Sequence, residues 1–254
     1  TNIGGVQRIE QQDGSLDLFY LYEDEVRQVT TEAVVLSVGW TGNVEALNLA
    51  AANVQSERGY IVVNDHLQTT APHIFAAGDI TGRMMLVQSA MEEGALAAGN
   101  AVLGSKRTSG HSIVPHGGFT DPEYGSVGLT EEKARAAHDC VVAVVPYAAL
   151  DRAVIDGHRE GFCKLIVSIT THRILGAHIM GEQALEILQL LATCLAADMP
   201  VEQLAEMELA YPTFTAIVGL AARQIIRELG IVPLAPQVQS LGRAYVAEWE
   251  RGEA

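Results

Sequence analysis

The sequence predicts a mixed chain, an α/β stretch followed by an α+β layer, and three observations carry that expectation. Residues 33–39 (AVVLSVG) form a short, essentially apolar run, the pattern of a strand buried on both faces of a parallel sheet. Residues 104–112 (GSKRTSGHS) are small and polar and make the best linker candidate in the chain. Beyond that linker, candidate strands and helices come in separate runs, which favours an α+β layer over a second doubly wound sheet.

The elements follow in order. Two β-patterned stretches, 6–11 and 16–22, flank Asp13-Gly14, a strong hairpin signal. A charged turn leads to the 33–39 strand. Residues 43–52 read as helical, 60–63 (YIVV) and 73–79 (HIFAAGD) as short strands, and 86–103 as a long helix rich in Ala and Glu. After the linker, 130–137 opens like a capped helix, with Thr130 ahead of Glu131, Glu132 and Lys133. Strands are expected at 141–146, 162–169 and 173–180, and helices at 182–197, 200–206 and 214–229. Leu185, Ile187, Leu188, Leu190, Leu191 and Leu195 cover most of the circumference of the first of these helices. A helix apolar all round is buried, within one core or between subunits, and the pattern leaves both open.

Composition sets outer bounds. The 254 residues hold 48% apolar side chains and suffice for one large or two modest domains. A formal charge of −15 argues against nucleic acid, whose phosphates need clustered Lys and Arg, and against an anionic membrane surface. No run approaches a membrane span, and no signal peptide is visible at the N-terminus. Cys140, Cys163 and Cys194 are odd in number and far apart, so they read as free thiols of a reducing cytoplasm rather than a disulfide scaffold or zinc site. His111, His116, His172 and His178 have no Cys or carboxylate at ligand spacing and read as ordinary surface or core histidines. The acidic set Glu202, Glu206 and Glu208 reads as a solvated helix face.

The segment with most chemical content is 69–79 (TTAPHIFAAGD). An apolar strand ends in Gly78, where a ligand can approach the backbone, and Asp79, whose carboxylate can accept bonds from sugar-type hydroxyls. Val87 follows near the start of the long helix, whose first N–H groups and positive dipole end suit a negatively polarised atom.

On these residues the chain resembles the flavin-dependent pyridine nucleotide–disulfide oxidoreductases, the family of dihydrolipoamide dehydrogenase, glutathione reductase and mercuric reductase, over about residues 1–230. Phe75-Ala76-Ala77-Gly78-Asp79 resembles the family's second FAD motif, in which the Asp holds the ribityl chain. Met85-Leu86-Val87-Gln88 resembles the stretch whose backbone N–H groups meet the flavin pyrimidine ring. Residues 33–39 resemble the strand returning from the NAD(P) domain. Residues 118–123 (GFTDPE) with 127–130 (VGLT) resemble the opening of the dimerisation domain, and 161–165 and 174–178 two of its strands.

The resemblance implies an incomplete doubly wound FAD/NAD(P)-binding part followed by an α+β dimerisation domain. Residues 1–38 would be the tail of the NAD(P)-binding domain, 39–112 the second half of the FAD-binding domain, 113–232 the homodimerising domain and 233–254 a C-terminal tail. It also implies FAD and NAD(P)H as cofactors, a cytoplasmic homodimer, and the N-terminal half of the same protein as partner. Both Gly-x-Gly-x-x-Gly fingerprints and the redox cysteine pair of the family are absent from these 254 residues. The chain is therefore expected to be the C-terminal part of a longer protein, or one subunit of a split enzyme. On its own it is expected to be a dimerising module without catalysis.

The family's C-terminal His-Pro-Thr, with Glu three residues after the Thr, is replaced by Tyr211-Pro212-Thr213 with Ala216. Soluble transhydrogenases and mercuric reductases resemble the chain in having Tyr here. Tyr211 is thus the candidate catalytic residue. It is a poor base at neutral pH but a good hydrogen-bond donor, and packing beside Pro212 is the alternative role. Residues 150–153 (LDRA) also point toward the mercuric reductases, but the cysteine pair with which those end is missing from 248–254.

Overall fold

The structure, a computed structural model, describes residues 3–104, 106–110 and 113–231. The expected C-terminal tail, Ser105, His111 and Ser112 of the linker, and the first two residues lie outside the described residues.

The chain opens with a three-stranded antiparallel meander: β1 (Gly5–Gln12), β2 (Ser15–Tyr22) and β3 (Glu25–Thr31). Asp13-Gly14 makes the first turn, as expected, with Gly14 at φ +81°. The second turn, Glu23-Asp24, has both residues at positive φ, which suits the twist of a tight hairpin. Strand β3 was not anticipated, because its residues (EVRQVTT) are largely exposed and read as a charged turn.

Residues 33–40 form no strand. Val35, Val38 and Trp40 are 90%, 85% and 78% exposed. The apolar run predicts burial, but among the described residues no strand lies alongside to pair with it, and an unpaired strand cannot hold its shape alone. The expected helix at 43–52 is two short 3-10 turns, Glu45–Leu47 and Leu49–Ala52. Of the two following strands, only β5 (Tyr60–Ile61) forms, paired with β4 (Ser56–Glu57), and residues 73–79 keep a single bridge, Gln68 to Phe75. A small core of Val54, Ile61, Ala71 and Ala76 holds this loop-rich part together.

The long helix is α1 (Val87–Leu103), ended by Gly104 in the left-handed conformation. Its inner stripe is Ser89, Glu93, Leu96, Ala97 and Asn100. Asn100 pins the described linker residues back on the helix through the Arg107 carbonyl, at 2.9 Å, and the Arg107 N–H, at 3.1 Å.

The remainder is one antiparallel sheet of order β6-β7-β10-β9-β8, with β6 (His116–Gly118), β7 (Tyr124–Gly128), β8 (Cys140–Pro146), β9 (Phe162–Ser168) and β10 (Ile174–Met180). Helix α2 (Glu131–Ala137) is capped by Thr130, whose side chain accepts from the Lys133 N–H, as the sequence implied. Lys164 Nζ on β9 donates to Glu131 at 2.6 Å and ties this helix to the sheet. Helices α3 (Asp151–Asp156), α4 (Ala184–Ala196), α5 (Val201–Glu206) and α6 (Ala216–Glu228) complete the layer. Ala184, Ile187, Leu188, Leu191, Ala192 and Cys194 of α4 join α5 and α6 in one continuous core, while Leu185, Leu190 and Leu195 are half-buried at its margin. Beside that core Gly181, at φ +146°, faces the ring of Tyr147, where a Cβ would sit 2.4 Å from the ring.

Candidate functional site

Gly78 and Asp79 begin a 3-10 turn, Gly78–Thr81, that leads toward α1. Position 78 favours glycine, because φ is +79° and a Cβ would crowd Ala90 at 3.1 Å. The turn is held from behind. The Gly78 N–H donates to Glu93 Oε2 at 2.7 Å, and Thr81 Oγ1 donates to the Gly78 carbonyl at 2.8 Å. Glu93 is 1% exposed, so the buried face of α1 fixes the backbone that presents Asp79 to solvent. Sequence reading passed over Glu93. The signal was its place on the stripe with Leu96 and Asn100, since a carboxyl group on a buried helix face needs a donor.

Asp79 and Met85 line a cleft of about 330 Å³ with Trp40, Thr41, Gly42, Asn43, Tyr60 and Ile80. Tyr60 closes one side, donating its hydroxyl to the Trp40 carbonyl and lying 3.7 Å from Met85 Sδ. Leu86 is the extended N-cap of α1 and makes no side-chain cap. Its own N–H is turned back to the Met84 carbonyl at 3.0 Å. The first intrahelical bond is Ala90 N–H to the Leu86 carbonyl, so the N–H groups of Val87, Gln88 and Ser89 have no partner within the helix. Of the residues expected here, Gly78, Asp79, Met85, Leu86 and Val87 thus fall in one turn–loop–helix unit, with Val87 rather than Leu86 offering a free N–H. Val87 is 77% exposed.

Tyr211 lies on the segment between α5 and α6 and is 75% exposed. Its hydroxyl donates to Asp151 Oδ2 at 2.9 Å. That bond, together with the carboxylate's charge, holds the phenol proton more tightly than in an ordinary tyrosine. An open cleft of about 810 Å³ lies on one side of Tyr211, lined by Glu206, Glu208, Arg223 and Arg227 among others. Among the described residues, no group of three or more His, Cys, Asp or Glu side chains is placed to hold a metal ion. His178 is bonded inside the sheet, with Nδ1 2.8 Å from Ser126 Oγ and Nε2 3.1 Å from the Leu129 carbonyl. No helix among the described residues is long and apolar enough to cross a membrane.

Comparison with known proteins fits this arrangement. Residues 4–94 match the family model for pyridine nucleotide-disulphide oxidoreductase, and residues 114–222 the model for the dimerisation domain of the same family. Mercuric reductase of Staphylococcus aureus is 31% identical over 85% of this chain and 40% of its own length. Dihydrolipoyl dehydrogenase of Vibrio cholerae is 35% identical over 75% of this chain and 40% of its own length. The solved HOCl-induced flavoprotein disulfide reductase RclA from Escherichia coli superposes with a TM-score of 0.78 at 26% identity, over 87% of this chain and 51% of that one. The chain spans about 40% of the length of the curated relatives it matches. With most of its length matched by the two models and its fold shared with a flavoprotein disulfide reductase, the chain belongs to the pyridine nucleotide–disulphide oxidoreductases.

Proposed function

We propose that these residues are the C-terminal part of an FAD-dependent oxidoreductase that moves electrons from NAD(P)H through FAD to a disulfide, a thiol-bound metal or a related acceptor. The observation that carries this reading is the unit of Gly78, Asp79 and the open N-terminus of α1. Asp79 is exposed at the cleft, where its carboxylate can accept from ribityl hydroxyls. The Val87 N–H, at the positive end of a 17-residue helix, suits an electron-rich carbonyl of a bound ring. FAD, when bound, supplies the hydride and electron chemistry. The chain's own residues hold and orient the cofactor and shield one side of it.

A second observation supports a partner for this wall. Val35, Val38, Trp40, Val87 and Met91 are each more than 70% exposed. Large apolar side chains exposed to this degree on neighbouring stretches suit packing against something else. We assign it to the N-terminal half, which would bring both glycine fingerprints and the redox cysteine pair. Tyr211 then serves the acceptor site of the partner subunit in a homodimer.

The test is to extend the reading frame upstream of Thr1, express the longer polypeptide, and record its visible spectrum and NAD(P)H oxidation. A flavin band that Asp79→Ala weakens several-fold, with NAD(P)H turnover, supports the reading. A colourless longer polypeptide, or one without the glycine fingerprints, overturns it. The 254-residue chain by itself has neither fingerprint, and this favours a second reading for the piece alone, a homodimerising module without catalysis. Light scattering showing a dimer with no flavin bound supports that reading, and a monomer refutes it.

A further inference from the structure

Tyr211 and Ala216 stand where the family pattern has its His and Glu, so segment 211–216 carries no carboxylate of its own. The structure supplies one from elsewhere. Asp151, the first residue of α3, lies 60 positions earlier in the chain and accepts the Tyr211 hydroxyl at 2.9 Å. Asp151, Tyr211 and Ala216 line one hollow of about 180 Å³ between α3 and the start of α6. Two cations border that hollow, and each is directed elsewhere. Arg152 donates to Asp156 at 2.6 Å with its guanidinium 5.8 Å from the centre of the Phe214 ring, and Arg223 donates to the Ala205 carbonyl at 3.4 Å. Among the described residues, no ion pair involves Asp151.

We propose that Asp151 is the positioning residue for Tyr211: its carboxylate fixes the phenol by taking its one O–H, so that the oxygen faces the acceptor with its lone pairs. This rests on the oxidoreductase reading given above. A phenol has a single proton to donate. With that proton committed to Asp151, the remaining capacity of Tyr211 is to accept, which matches a group at the acceptor site with a proton to give. Such a group is the thiol that a disulfide acceptor yields when FAD passes it two electrons and solvent supplies the protons. The same bond disqualifies Tyr211 as a base, because removing its proton would set two anions side by side. The raised proton affinity of Tyr211 agrees with this. Asp151 also sits in the first turn of α3, where an acidic side chain favours the helix end. A role confined to α3 would leave the phenol unaffected, which makes the two separable.

The experiment uses the 254-residue chain with 13Cζ-labelled tyrosine and no flavin. Tyr211→Phe assigns the Tyr211 resonance, and pH titrations compare the wild type with Asp151→Asn and Asp151→Glu. Charged groups facing Tyr211 are Asp151, Arg152 and Arg223 in the hollow, and Glu206, Glu208 and Arg227 across the larger cleft. In the wild type, Tyr211 should titrate above the ordinary tyrosine value. In Asp151→Asn it should fall to the ordinary tyrosine value of about 10, and Asp151→Glu should restore most of the elevation. The resonance of Tyr147, whose hydroxyl donates to the Glu182 carbonyl at 2.9 Å, reports that each variant is folded. A Tyr211 titration identical in the wild type and Asp151→Asn, with Tyr147 unmoved, overturns the proposal. That failure leaves the flavin reading standing, and a colourless extended polypeptide would sink the flavin reading with the tyrosine result intact.

Discussion

Replacing Glu93 tests whether the Gly78-Asp79 turn is held by α1. Glu93 Oε2 accepts the Gly78 N–H at 2.7 Å, and both residues are buried. Glu93→Ala removes that acceptor in a place water does not reach. An amide left unpaired there costs about 1–3 kcal/mol. The lost methylene adds about 0.8 kcal/mol of burial. Glu93→Gln keeps the shape and an acceptor oxygen, so it should cost the smaller part of the total. Native-state hydrogen exchange reads the effect at the residue concerned. A loss of 1–3 kcal/mol speeds local opening at the Gly78 amide about 5- to 150-fold. Amides of β9, in the separate core of the five-stranded sheet, should be unaffected. The order wild type, Gln, Ala in Gly78 protection is the expected result. Unchanged protection of Gly78 in Glu93→Ala would refute the argument, because the turn would then be held by its loop alone. Equal loss across β9 would refute it differently, by making Glu93 a support of the whole molecule.

Three further outcomes follow from the packing of residues 113–231. Gly181→Ala places a Cβ 2.4 Å from the Tyr147 ring at φ +146°, so it should lower stability by about 3 kcal/mol, read as a reduced urea midpoint. A midpoint matching the wild type would show that Tyr147 can retreat. Burial, opposed by the bond to the Leu129 carbonyl, holds His178 below the ordinary histidine value. Nε2 faces that carbonyl and so carries the proton, leaving Nδ1 to accept from Ser126. With the folded value depressed, this contribution is fully present above about pH 6.5 and is lost as pH falls below it. The urea midpoint of the wild type should therefore drop on acidification more than that of His178→Gln, and parallel curves would contradict the assignment. Finally, burial pushes the Cys163 thiol up to about 12 and raises that of Cys194, while Cys140 is half-buried. A disulfide reagent at neutral pH should label Cys140 alone in the native chain and all three thiols in denaturant. Rapid native labelling of Cys163 would mean that the sheet opens readily.

The sequence was most legible where a local rule decides the outcome. Asp13-Gly14 gives the first hairpin turn, Thr130 caps α2, and a switch in pattern after the linker marks the α+β layer. It failed where the outcome depends on a distant partner. Residues 33–39 carry the pattern of a doubly buried strand, and pattern reports the wish for burial without supplying the neighbour. Glu23-Asp24 lacks the glycine or asparagine that usually betrays a tight turn, so β3 stayed hidden behind its exposed, charged residues. The candidate site divides in the same way. Gly78, Asp79 and Val87 lie within ten residues of one another and were readable as a unit. Asp151 was not, because nothing in the spacing of Tyr211, Pro212 and Thr213 points to a residue 60 positions away. Only the return of the chain from α5 to the start of α6 brings α3 beside it.

The two parts of the molecule differ in how far they satisfy themselves, and that difference bears on function. From β6 onward, helices α3 to α6 and a sheet close over one core in which Leu165, Ile187, Leu188, Leu191, Leu204 and Ile217 are fully buried. Ahead of that, the cores are small, and apolar residues at both ends of α1 and along 33–40 face outward. A module that must stand alone does not leave tryptophan, valine and methionine exposed to this degree. The reading proposed above accounts for this exposure by making these residues one wall of a shared site that a second part completes. Glu93 then has a purpose beyond stability. In the reading proposed above, it holds Gly78 and Asp79 in position ahead of cofactor and partner, so that the wall need not be reordered on binding. Tyr211 with Asp151 is built on the same principle at the other end of the chain. A single hydrogen bond there, from Tyr211 to Asp151, holds an exposed side chain that the proposal above assigns to the acceptor site.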